Sequence, residues 1–195
     1  MRYLLILLFF STSTLCFNQT RHLTIEGNHS SLGFSVDIAG GITKVTGKFH
    51  EHDLKLSFVD NDWTKSKIDF KIIASSIDTG IKDRDDHLRT EDFFDVEQFP
   101  TIEFHSSNIV PAGEQAYIAK GTFLMHGVSR EIDLPFTVTS QDGNTIGIKI
   151  EHQINRVDFG VAADFKHTSI ENFISEEIDV NFYFWTKKDK RASSE

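Results

Sequence analysis

The run Ile68-Asp69-Phe70-Lys71-Ile72-Ile73-Ala74 decides the fold. Apolar side chains occupy the even positions, and Asp69 and Lys71 stand between them. A period of two is that of a strand with one buried and one wet face. The same alternation recurs on both sides of this stretch. Leu32, Phe34, Val36 and Ile38 alternate with Gly33, Ser35 and Asp37, and Ile132, Leu134, Phe136 and Val138 repeat the pattern. So do Ile146, Ile148, Ile150 and Ile154, then Ile178, Val180, Phe182 and Phe184. Turn signals fall between the runs at Gly40-Gly41, Asp60-Asn61-Asp62, Pro111-Ala112-Gly113 and Asp142-Gly143-Asn144. Further strands over 44–58, 101–110 and 116–125 bring the count to about eight. A sheet of that size with one apolar face hides it by closing on itself or by pairing with a second sheet. The reading is therefore all-β, an extended antiparallel eight-stranded barrel.

Two segments break the alternation. Lys82 to Phe94 is rich in charge and reads as a short helical connection on either side of Arg89, with Thr90 as a helix cap. Residues 160–175 read as a loop with at most one helical turn. One or two short helices therefore accompany the barrel.

Composition narrows the function. The chain has 195 residues and a formal charge of −9, which disfavours a nucleic-acid surface, since phosphate binding needs a basic face. Eighteen Phe against 3 Tyr and 2 Trp supply aromatic bulk without polar handles, as a dry interior or an apolar cavity requires. Arg2 followed by the apolar run Tyr3 to Phe10 and then small polar residues reads as a signal peptide over about residues 1–16. This run is too short to span a membrane, and no second span follows. The expected location is periplasmic or secreted. Lipoprotein processing at Cys16 is disfavoured by Leu15, which stands where a small residue is preferred. The domain is expected over 22–186, with a polar tail over 187–195.

The histidines give no metal site by spacing. His50-x-His52 would point both rings to one side of a strand, but no third ligand follows at a workable distance, and two solvent-facing histidines are the simpler reading. There is no Gly-x-Ser-x-Gly elbow, and Cys16 is the single cysteine. The sequence calls for no cofactor.

The most specific cluster is Ser75-Ser76-Ile77-Asp78-Thr79-Gly80, then Arg84-Asp85-Asp86-His87-Leu88-Arg89, then Asp92-Phe93-Phe94-Asp95-Val96 and Phe99-Pro100-Thr101-Ile102-Glu103-Phe104. With Gly47-Lys48-Phe49, the run from Gly121 to Arg130 and Asn155-Arg156-Val157-Asp158-Phe159-Gly160, it resembles the YceI-like family of bacterial lipocalin-like proteins over roughly residues 24–184. Ile38, where the family often has histidine, and Phe123-Leu124, in place of a common Leu-Thr, depart from the pattern. The resemblance implies a barrel with an elongated apolar cavity for polyisoprenoids or other long amphiphiles.

Alternation independently points Phe34, Val36, Phe70, Ile72, Phe104, Phe136, Ile148, Val180 and Phe182 inward, and these are the expected ligand wall. Arg84 and His87 are the head-group candidates, set against a structural reading in which Asp78, Arg84, Asp85, His87 and Arg89 tie the connection to the barrel rim. Arg156 and Asp158 read as a rim clasp. The expected function is non-catalytic binding or carriage of a polyisoprenoid, isoprenoid quinone or fatty-acid-like lipid, with a homodimer left open. The rivals are a metal-dependent enzyme or metal-binding barrel using the histidines, and a packed structural barrel without ligand.

Overall fold

The computed structural model of the chain describes residues 19–168, 170 and 172–190. The signal-peptide segment and Cys16 lie outside them. Among the described residues there are eleven strands: β1 (Thr20–Ile25), β2 (Ser31–Ile38), β3 (Thr43–Phe49), β4 (His52–Val59), β5 (Asp62–Ile73), β6 (Ile77–Asp78), β7 (Thr101–Gly113), β8 (Ala116–Met125), β9 (Val128–Asp142), β10 (Thr145–Asn155) and β11 (Ile174–Lys188). One α-helix, α1 (Lys82–Leu88), follows β6.

The described pairings are antiparallel, and β1 meets both β4 and β11, which closes the ring. β1 and β2 run end to end as one stave, and β3 and β4 as its hairpin partner. Thr24 thus faces Lys55, and Leu32 faces Phe49 further along. The staves number eight, as the alternation predicts.

Two interruptions within staves, between β1 and β2 and between β3 and β4, reset the alternation. Leu23 is buried at an odd position and Leu32 at an even one, with a short 3-10 turn at Gly27–His29 between them. Phe49 is buried at an odd position and Leu54 at an even one, with His50-Glu51 between. His50 and His52 therefore do not share a face. His50 is exposed and bonds Asp78 at 2.8 Å, whereas the ring nitrogens of His52 are buried. The expectation of two solvent-facing histidines holds for His50 alone.

Three local readings are corrected. Pro111-Ala112-Gly113 is the end of β7 and not a turn; the ladder shifts register between Pro111 and Gly113, which accommodates a residue that cannot donate a hydrogen bond. The chain reverses after it, where Gln115 takes a positive φ of 55°. Thr90 is not an N-cap. Its hydroxyl donates to the His87 carbonyl at 2.8 Å and closes the C-terminal end of α1. β11 continues through Lys188, so Lys187 and Lys188 pair with β1 and do not begin a tail.

The barrel loosens at one end. β6 pairs with β3 only at Lys48 and Phe49, and residues of β3 and α1 both line the space inside this end. On the opposite side the β9–β10 ladder stops at Thr137 and Lys149. Pro135, two residues on, has no N–H for the next rung. The segment 79–100 and the described residues of 156–173, which have no regular strand structure, form a cap over this end.

Candidate functional site

The barrel interior has two unlike halves. The half remote from α1 is solid. Trp63 lies 4.8 Å from Phe58, 5.2 Å from Phe136 and 5.5 Å from Tyr117 by ring centroids, and its Nε1 donates to Gln141 at 3.3 Å. The half beneath α1 holds a cavity of about 440 Å³. All of its lining side chains are apolar except Thr43, Arg84, His87 and Arg156. No carboxylate lines it among the described residues, in a chain with 29 acidic residues against 20 Lys and Arg.

Phe34, Val36, Ile72, Val180 and Phe182, chosen from alternation, stand on the cavity wall, as do Arg84 and His87. Phe70, Phe104, Phe136 and Ile148 point inward but lie in the solid half, each at most 3% exposed. Alternation tells in from out; it does not tell how far along a stave the filling changes. The cavity therefore occupies part of the barrel and does not run its length.

Several wall residues escaped the strand reading because they come from the cap. Phe93, Phe94, Val161, Phe165 and Phe173 close the cavity from that side. Phe93 and Phe165 are 5.4 Å apart, which joins the two cap segments over the opening. The signal that could have found them was already visible: apolar aromatics in stretches otherwise rich in charge.

The cap is held by the charged motifs. Asp85, buried, accepts from the Thr79 backbone N–H at 2.8 Å and from its hydroxyl. Arg84 donates through Nε to Thr79 Oγ1 at 2.7 Å and through Nη2 to the Thr79 carbonyl at 2.8 Å. Arg89 reaches back to the carbonyls of Ser75 and Ile77. His87 bonds Asp92 at 3.2 Å and sets its ring edge-on to Phe93. Asp78 accepts from Gly80 and from His50, and the His50 bond holds its carboxyl below the usual range. Arg84 has no ion-pair partner among the described residues and leaves Nη1 without an acceptor there.

Arg156 does not clasp Asp158. Its guanidinium donates to four backbone carbonyls, those of Ser175, Val161, Ala162 and Ile174, at 2.7–3.1 Å. Burial pulls its pKa below the ordinary arginine value. Asp158 instead pairs with Arg130 at 3.4 Å, and Arg130 also donates to the Asp158 carbonyl. A planar fork with five donors suits carbonyls converging from two segments, and a carboxylate on that site would have displaced them.

Among the described residues no group of three or more His, Cys, Asp or Glu side chains is placed to hold a metal ion. No helix among them is long and apolar enough to cross a membrane.

Comparison with known proteins agrees with this architecture. The chain is 28% identical over 159 residues to protein YceI of Salmonella arizonae, covering 78% of this chain and 82% of that one. Its fold is similar to that of BcnA from Burkholderia cenocepacia, with a TM-score of 0.74 at 24% identity, covering 83% of this chain and 98% of BcnA. It is also similar to that of a polyisoprenoid-binding domain from Saccharophagus degradans, with a TM-score of 0.71 at 18% identity, covering 86% of this chain and 98% of that domain. The model of the YceI-like domain matches residues 23–185, and with the closed barrel and its capped apolar cavity this places the chain in the YceI-like family.

Proposed function

We propose that this protein binds an amphiphile with a long apolar chain, a polyisoprenoid, isoprenoid quinone or fatty-acid-like lipid, and carries it without chemical change. The observation that carries the reading is the cavity, about 440 Å³ in volume and apolar in all but four of its lining side chains. Polar solutes entering it would lose hydration without compensation, while each methylene-sized group buried there contributes about 0.8 kcal/mol. The polyisoprenoid-binding domain of Saccharophagus degradans, similar in fold, supports the same ligand class. Phe34, Val36, Ile72, Val180 and Phe182 would contact the chain, and Arg84 and His87 its polar end. Export to the periplasm or the exterior, after removal of about residues 1–16, fits an envelope carrier. The test is mass spectrometry of organic extracts from purified protein, with a heat-denatured sample as control. An apolar-chain lipid in near-stoichiometric amount supports the proposal. Its absence, together with no binding of added prenols or fatty acids by folded protein, refutes it.

A further inference from the structure

On four staves the cavity ends between one inward residue and the next, and on β10 it ends higher, where Ile154 lines it and Ile150, opposite Phe182, does not. On β5 and β7 the cross-strand pair Ile72 and Ile102 lines it, and the next inward pair, Phe70 and Phe104, does not. On β11 Phe182 lines it and Phe184 does not, and on β2 Phe34 lines it and Leu32 does not. Inward residues are two apart, about 6.6 Å along a strand, so on β2, β5, β7 and β11 the boundary is a single rung deep. Phe70 stacks on Phe104 at 5.3 Å and meets Phe182 edge-on at 6.0 Å. Its ring therefore lies immediately behind the wall, with Trp63 and Phe136 filling the barrel beyond.

The volume bounds what can sit above that floor. About 440 Å³ is roughly three times the ~150 Å³ of a cavity that takes up one benzene molecule, so the space accommodates about eighteen carbons. We propose that Phe70 is a chain-length stop, and that the site takes a single apolar chain of about fifteen to twenty carbons, three to four isoprene units or a fatty acyl chain of that length. Longer chains bind only by leaving their excess outside. This rests on the lipid-binding reading above and adds to it a length limit and the residue that sets it.

The experiment is calorimetric titration of the full mature chain with prenols of two, three, four and six isoprene units. Wild type should tighten about tenfold per unit up to three or four units and then stay within about twofold. Phe70→Ala opens room behind the wall and should move that plateau up by one unit. Ile72→Phe projects its added bulk into the cavity and not into packed atoms, and should move the plateau down by one unit; it also serves if Phe70→Ala fails to fold. Affinity that still climbs tenfold per unit from four to six units in wild type overturns the length limit, as does a plateau that Ile72→Phe leaves in place. Both results leave lipid binding intact. A folded wild type that binds none of the prenols overturns the lipid-binding reading itself.

Discussion

The ring of Phe34 lies over Gly47, its direct cross-strand partner, so closely that a Cβ on Gly47 would stand 2.5 Å from the Phe34 ring and 2.9 Å from Thr79 Cγ2. A glycine in a strand interior weakens the strand, and here it lets an aromatic side chain lie flat against the backbone at the cavity wall.

Gly47→Ala is therefore expected to push the Phe34 ring into the cavity. Lower backbone entropy in the unfolded chain offsets part of the crowding, so stability should change by less than about 1 kcal/mol. Prenol affinity should fall. Unchanged affinity with a large loss of stability, read by urea unfolding and titration together, would show that the ring cannot move inward.

Arg84→Ala is expected to weaken a lipid with a polar head by about 1–3 kcal/mol if the unpaired Nη1 meets that head. His87→Ala should do less, because His87 already bonds Asp92. Titrating each variant with a headed lipid and with a plain alkane of equal length separates the head from the chain. Equal losses for both ligands would assign Arg84 to holding the cap alone.

Arg156→Lys retains the charge and loses the fork. Carbonyls of one cap segment and of the start of β11 lose their donor, and leaving buried acceptors unpaired costs about 1–3 kcal/mol each, so a loss near 3 kcal/mol is expected. Proteolysis should then cut first within residues 160–173. A variant as resistant as wild type would mean that the cap has other anchors.

Phe136→Ala should cost about 3–5 kcal/mol, since the ring packs against Trp63 and Tyr117 in the solid half, yet leave the prenol plateau at the same length. Asp69→Ala and Lys71→Ala, on the wet face of β5, should change stability by no more than about 0.5 kcal/mol. If the surface substitutions proved the damaging ones, the inside and outside of β5 would be reversed.

Burial pulls the pKa values of His52 and His152 below the ordinary 6.5. Just below that pH the unfolded chain binds protons that the native rings refuse, so stability should fall as pH drops through about 6.5 and keep falling until the native rings protonate. The lowered carboxyls of Asp78 and Asp86 act in a separate window and lose their contribution as pH falls below about 3.8. Urea midpoints measured between about pH 7.5 and about pH 5.5 should show a slope that His52→Leu reduces. A flat wild-type profile would contradict this.

Period-two alternation made the barrel legible, because a strand with a wet face must alternate. It placed Phe70 and Phe104 inward as firmly as Ile72. It could not separate packed from hollow, since that depends on how side chains from several staves meet across the interior, as Trp63, Phe136 and Tyr117 do. His52 misled for a different reason: the break at His50-Glu51 shifts the phase by one, and nothing in the local pattern marks it. The charged motifs were visible but not their partners. Arg156 found carbonyls where Asp158 stood nearer in sequence, and Asp158 found Arg130 across the cap.

The ring closes where Leu23 pairs with Lys188 and Ile25 with Thr186, at nearly opposite ends of the described chain. Contacts so distant in sequence form late, because most of the loop-closure entropy must be lost before they are made. Until β11 arrives, the partly folded chain is an open sheet with two unpaired edges, prone to pair with its neighbours. The cavity therefore cannot exist before β11 joins the sheet: its wall includes Val180 and Phe182 of that strand, so a lipid can be enclosed only once β11 has paired with its neighbours.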